Sequence, residues 1–441
     1  MIKLSDHFTY GKLLRFVLPS VAMMIFTSIY GVVDGYFVSN YTGKTSFAAV
    51  NLIYPVLMIL GTVGFMFGAG GSALVAKTMG ERDSEKANSI FSLLIAVSTV
   101  VSIILSVLGI IFLRPVAIAL GAEGTLLQNA VLYGRIILIA LPGFVLQLEF
   151  QSFMIAAERP KLGLVVTLVA GLANMLLDAL LVGVLKTGLV GAAVATAVSQ
   201  ILGGLIPFIY FLRPNKSALR LTKFKFDSGA IWKTCTNGCS EFMNNIAMSF
   251  VSMLYNAQLM KYEGENGIAA YGVLMYVGMV FSAAFIGYSI GSAPIVSFNY
   301  GAQNHTELRG LLKKSTVLIA LCAAVMVTLA LSLSGFLSNV FVGYDPQLAA
   351  LTHRAFWLYS FAFIPMGFAM FASGFFTALN DGVTSAILSF LRTLVFQVSA
   401  VFLLPLIMGI DGIWLSVFVA ELLALIVSIV FLLAKQKRFG Y

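Results

Sequence analysis

Between short polar breaks, the chain is a succession of apolar runs. Most are longer than the roughly 20 residues an α-helix needs to cross a bilayer. Of 441 residues, 60% are hydrophobic and only 10% are charged, against about 25% charged in soluble domains. The pattern predicts an all-α polytopic membrane protein with twelve transmembrane helices. They are read over 13–38, 46–76, 88–113, 127–155, 161–185, 189–212, 231–261, 267–297, 309–334, 353–379, 383–408 and 411–434. Several of these runs are long enough to require tilt. The start, MIKLSDHFTYGKLLRF, is polar and basic, and a long apolar run follows it, so no cleavable signal peptide is expected.

Lys and Arg set the orientation. With the N-terminus placed inside, the inner segments hold 20 of the 27 basic residues. The outer segments hold only Lys44, Arg114, Lys186, Lys261 and Arg354, and Arg135 and Arg392 fall within spans. Both termini are therefore expected in the cytoplasm of a bacterial cell, with the chain in its inner membrane. This alternation also explains the net charge of +9 without nucleic acid. Cys235, Cys239 and Cys322 lie in or beside apolar spans as small packing residues. His7, His305 and His353 lie near segment ends, which argues against a histidine metal site.

The halves echo each other at an offset of about 221. Phe47-Ala-Ala matches Ile268-Ala-Ala, Gly70 matches Gly291, and Gly80 matches Gly301. Gly188-Leu-Val-Gly191 matches Gly409-Ile-Asp-Gly412, and Gln200 matches Glu421. Six spans per repeat insert the same way up, so two six-helix bundles related by a pseudo-two-fold along the membrane normal are expected. The division is an N-terminal lobe over 1–212, a basic cytoplasmic linker over 213–230 and a C-terminal lobe over 231–441. Within spans, Pro19, Pro55, Pro142, Pro207, Pro294, Pro365 and Pro405 permit bends. Gly64, Gly68, Gly70 and Gly71 suit close helix packing.

Acidic residues inside spans are expensive and point to function. Asp34 lies near the outer end of the first span, and Asp178 lies seven residues before the outer end of the fifth. Asn174 precedes Asp178 by one helical turn on the same face, and Thr196 lies about seven residues into the sixth span. These groups fall at similar depth. Two carboxylates with an amide and a hydroxyl suit a hard cation or a shared proton. The competing reading is that each acid only locks packing. Glu241, with Asn244 and Asn245 following at helical spacing, sits near mid-membrane as an attractor for cationic substrate. Met275 and other span methionines could line an adaptable apolar cavity. Glu421, shadowed by Gln200, is expected to pack; Glu149 is expected to be structural; Arg392 is expected to neutralise an acid that the sequence does not identify.

No energy-coupling ATPase is expected. Gly43-Lys44-Thr45 ends like a phosphate loop, but Val38 stands where its first glycine belongs. No soluble domain is long enough to carry an enzyme, so active transport must run on an ion gradient.

The run LPSVAMMIFTSIYGVVDGYFVSNYTG, the run GFMFGAGGSALVAKTMGERD and the run ERPKLGLVVTLVAGLANMLLDALLV together resemble the first, second and fifth helices of the multidrug and toxic compound extrusion (MATE) family. The chain is most similar to the small bacterial multidrug-efflux branch of that family. The resemblance implies a non-enzymatic, rocker-type antiporter with no cofactor, in which Na+ or H+ influx drives export of amphipathic, often cationic, compounds. It also implies a cation-coupling set of Asp34, Asn174, Asp178 and Thr196, which would be metal ligands only if Na+ couples. A second family site uses acids on helices 7 and 10; Glu241 matches the first, but the tenth span has no acid. Glu241, Asn244, Asn245 and Met275 are the expected substrate-binding residues. Expected partners are cationic amphipaths and membrane lipid, with the protein a monomer. The alternative is a flippase of lipid-linked or polysaccharide precursors. That activity would need a basic cavity, for which only Arg135 and Arg392 are candidates.

Overall fold

The computed structural model describes residues 2–343 and 345–441. The side chain of Lys44, counted above among the outer basic residues, lies outside that description. Among the described residues there is no strand. The N-terminal lobe is built from α1 (Tyr10–Tyr41), α2 (Lys44–Gly80), α3 (Ser84–Ala119), α4 (Gly124–Ala156), α5 (Pro160–Leu177, continuing as a π turn over Asp178–Val184) and α6 (Gly188–Leu212). A single helical run, Ser228–Gly301, spans 74 residues, and only Gly264, at φ 62 and ψ −142, leaves the helical region. It divides there into α7 (228–263) and α8 (265–301). The C-terminal lobe continues with α9 (His305–Val342), α10 (Pro346–Ser360 and Phe363–Ala378, bent by 48°), α11 (Gly382–Met408) and α12 (Ile410–Phe439).

By length and apolarity, ten helices among the described residues can cross a membrane, or eleven with the bent pair counted as one. Dividing the 74-residue run at Gly264 gives the twelve expected. The helices outrun the predicted spans because hydropathy registers only the part in hydrocarbon. Their polar ends continue into water and are capped there. Asp83 accepts from the Lys86 N–H, Asn304 from that of Glu307, and Asp381 from that of Thr384.

The duplication is written into the backbone. Left-handed residues recur 221 positions apart: Gly43 with Gly264, Arg82 with Gln303, and Gly188 with Gly409. Gly264 is thus the second copy of the α1–α2 turn, with the polar residues around it drawn into helix. The seam between lobes carries the same symmetry. A Cβ on Gly80 would lie 2.0 Å from the Phe298 carbonyl oxygen, and one on Gly301 would lie 2.0 Å from that of Lys77. Equivalent residues touching reciprocally are what a two-fold through that point produces. The glycine cluster of α2 packs as expected: Gly64 meets Val145, Gly68 meets Glu149, and Gly70 meets Thr234 of α7.

Both termini lie at one end of the molecule, where Leu4, Phe8, Phe439 and Tyr441 share an apolar cluster with residues of both lobes. At the opposite end the clusters are separate. One runs from Val38 to Ala193 and the other from Val251 to Val417, with no residue in common. The hydrogen bonds joining the lobes follow suit. The His7 ring and the Phe8 N–H meet Glu307, the Lys314 ammonium donates to the Phe8 carbonyl, and the Asn380 amide donates to that of Ala73. All lie at the terminal end, so the lobes are sealed there and part toward the opposite end.

Candidate functional site

Asp34 projects from α1, Asn174 and Asp178 from α5, and Thr196 from α6. The structure brings the four together. The Thr196 hydroxyl donates to the Asp34 carboxylate at 3.3 Å. The Asp34 carboxyl lies close to those of Asp178 and the Asn174 amide. Asp178 is fully buried and Asn174 nearly so, yet neither carboxylate oxygen of Asp178 nor either amide atom of Asn174 makes a hydrogen bond of ordinary geometry. Asp34 is partly exposed. Among the described residues, none of the ion pairs involves Asp34 or Asp178.

The local backbone explains how α5 delivers its acid. Asn174 to Asp178 is one ordinary turn, but the helix widens to a π turn beginning at Asp178. π turns concentrate at functional sites because one extra residue re-aims the side chains around it. The Asp178 N–H remains bonded to the Asn174 and Met175 carbonyls, so the side chains of both residues stay on one face.

Two carboxylates in contact repel. For unit charges at about 4 Å, the repulsion is on the order of 4 kcal/mol at an effective dielectric of about 20. A bound monovalent cation or a proton shared between them removes it, and the unpartnered Asn174 amide oxygen supplies a further hard ligand. Among the described residues no group of three or more His, Cys, Asp or Glu gathers for a metal.

Three tyrosines stand around this group that the sequence reading did not single out. Tyr30 lies one turn before Asp34 on α1, near Gln147; Tyr54 is near Asp34; and Tyr133 is near Thr196. The four-residue spacing from Tyr30 to Asp34 was the available signal. Tyr54 and Tyr133 come from other helices and left none.

In the C-terminal lobe the chemistry differs. Arg392, in the π turn Leu391–Phe396 of α11, holds Glu421 of α12 through Nε at 2.9 Å to both oxygens and Nη2 at 2.8 Å. This corrects the expectation that Glu421 merely packs: it is the counter-ion of a buried arginine, and the acid that Arg392 neutralises is identified. Gln200, its match in the other lobe, keeps a buried amide oxygen without a partner. Tyr255, standing where the repeat places Asp34, shares a 2.6 Å hydrogen bond with Ser416.

Glu241 is partly exposed on α7. Asn244, one turn on, accepts from Thr393 at 3.1 Å and reaches Ser389 at 3.4 Å, so the Glu241 face of α7 docks where α11 carries Arg392. The Asn245 amide is turned back onto the Glu241 backbone carbonyl at 2.8 Å. Met275 packs at the edge of the C-terminal apolar cluster, and no described contact joins it to Glu241. Glu149 is fully buried, with a 2.5 Å hydrogen bond from Ser98 and a second oxygen without a partner.

Comparison with known proteins gives a consistent outcome. The MatE family profile matches residues 19–180 and, a second time, residues 242–403. The multidrug export protein MepA of Staphylococcus haemolyticus is 25% identical over 413 residues, covering 93% of this chain and 90% of that protein. Two solved structures share the fold. A crystal structure of MATE in complex with MaL6 superposes with a TM-score of 0.93 at 20% identity, over 98% of both chains. An outward-facing multidrug resistance MATE family transporter of the MOP superfamily superposes with a TM-score of 0.91 at 22% identity, over 98% of this chain and 97% of that one.

Proposed function

Because this multi-pass membrane protein belongs to the MatE family, which matches both of its halves, we propose that it is a secondary antiporter exporting amphipathic, often cationic, organic compounds in exchange for Na+ or H+. The similarity to staphylococcal multidrug export proteins supports the substrate class. The observation that carries the coupling is the contact of Asp34 with Asp178, beside Asn174 and Thr196, without a counter-charge from the protein.

The mechanism follows from linkage. A ligand shifts a two-state equilibrium only through its differential affinity for the two states. With the pair empty, repulsion between the carboxylates disfavours their contact; with a cation or proton between them, α1, α5 and α6 draw together. Drug and cation then bias opposite access states, and the lobes rock about the glycine seam at the terminal end. With both termini in the cytoplasm, the end at which the lobes part faces outward. The protein acts as a monomer in the cell membrane.

Dye efflux from vesicles, with sodium and pH gradients imposed separately, tests the proposal. Efflux under one gradient and its loss in Asp34→Asn and Asp178→Asn are expected. Transport that needs neither gradient, or that survives both substitutions, would sink it. The flippase reading gains no support: Arg135 is exposed and Arg392 is engaged by Glu421.

A further inference from the structure

The C-terminal lobe carries charges that coupling at Asp34 and Asp178 leaves unused. Arg392 spends Nε and Nη2 on Glu421, and both side chains are largely buried, 16% and 5% exposed. Three hydrogen bonds fix the guanidinium plane, so the arginine cannot swing freely to another acid. Thr393 and Ser389, flanking Arg392 on α11, bond Asn244, which lies three residues after Glu241 on α7. Glu241 thus faces Arg392 across the α7–α11 contact. Its carboxylate makes no hydrogen bond or ion pair among the described residues, and it remains partly exposed.

We infer that Arg392 is a specificity-determining residue of the C-terminal lobe, with Glu421 its positioning residue. Held on Glu421, Arg392 leaves Glu241 free to receive the cationic group of a substrate. Without Glu421, the arginine has one acid left within its field, Glu241, and cancels it. The negative charge offered to substrate is therefore set by a residue pair in which Glu421 never touches the substrate. This rests on the exporter reading and adds to it the control of substrate charge.

The test uses the full-length protein with two probes of similar shape: the permanent cation tetraphenylphosphonium and neutral triphenylphosphine oxide. The wild type should bind both and export at least the cation; export of neither overturns the exporter reading itself. In Glu421→Gln, tetraphenylphosphonium binding should weaken about tenfold, the scale of one lost charge–charge contact, while the neutral probe changes less than about twofold. The exchanged pair, Arg392→Glu with Glu421→Arg, keeps the ion pair but puts a second carboxylate beside Glu241. It should bind the cation more tightly than the wild type. Equal weakening of both probes in Glu421→Gln, or wild-type selectivity in the exchanged pair, assigns the ion pair a purely structural role and overturns the inference. If Glu421→Gln fails to insert, the exchanged pair decides alone.

Discussion

The two lobes repeat one backbone and carry opposite electrostatics. In the N-terminal lobe, a π turn in α5 brings Asp178 against Asp34 with no cation from the protein. In the C-terminal lobe, a π turn in α11 brings Arg392 against Glu421 in a bidentate pair. Where the repeat would place Asp34, Tyr255 closes on Ser416 instead. The two widened turns are not copies of each other, because 221 residues on from Asp178 the chain stands at Ser399, past the turn in α11. Each lobe widens its fifth helix at its own place, and the residue mounted there differs: an acid without a counter-charge in one lobe, an arginine already holding an acid in the other.

The comparison breaks most visibly in transport. Asp178→Asn is expected to cut gradient-driven efflux by at least about a hundredfold, an energetic loss of roughly 2.7 kcal/mol, with normal insertion. Normal efflux in that variant would end the distinction between lobes. Stability should run the other way. Arg392→Leu leaves Glu421 buried and unpaired and should cost about 3–5 kcal/mol, whereas replacing both partners by leucine should be near neutral. Asp178→Asn relieves repulsion and should leave thermal unfolding in detergent unchanged or raised. A destabilised Asp178→Asn would mean that the acid is structural.

A smaller effect is expected at the seam that both lobes share. Gly301→Ala sets a methyl against the Lys77 carbonyl and should cost about 1–3 kcal/mol, read as a lower unfolding midpoint and faster hydrogen exchange in 76–82 and 297–303. The smallest lies at the terminal end, at Asp381. Burial there works against the charged form, but hydrogen bonds from Lys435, at 2.5 Å, and from Thr384 outweigh it and hold the carboxyl below its usual value of 3.8. A depressed acid stabilises the fold above its unfolded value and loses that contribution as pH falls through the folded one. Asp381→Asn should therefore cost under about 1 kcal/mol at pH 7, and progressively less as pH falls through the depressed pKa of the folded state. A cost that persists in acid would exclude the ion pair as its source.

The grouping of Asp34, Asn174, Asp178 and Thr196 was legible for a simple reason. Asn174 and Asp178 share a face through the helical period, and counting residues from the span ends put Asp34 and Thr196 level with them. The pairing of Arg392 with Glu421 was not, because it depends on how α11 and α12 are rotated about their axes across 29 residues of chain. Depth can be counted along one chain; rotation is fixed only by neighbours. The π turns were equally silent, since DALLVGV and LRTLVF read as ordinary apolar helix. The break read between 261 and 267 falls at Gly264, but the flanking polar residues concealed that α7 and α8 run almost without a break.

The sequence by itself determined twelve helices, their duplication and the depth of every buried acid. Hydrophobic length, the 221-residue echo and the helical rise are properties of one strand of chain. Only the tertiary structure decided which acids stand open and which are answered. It also decided that the lobes meet at the terminal end and part at the other. An unpaired carboxylate and an ion-paired one are the same letter in sequence. They differ in which helix faces them, and that is set by packing within each lobe, of α1 against α5 and α6 and of α11 against α12.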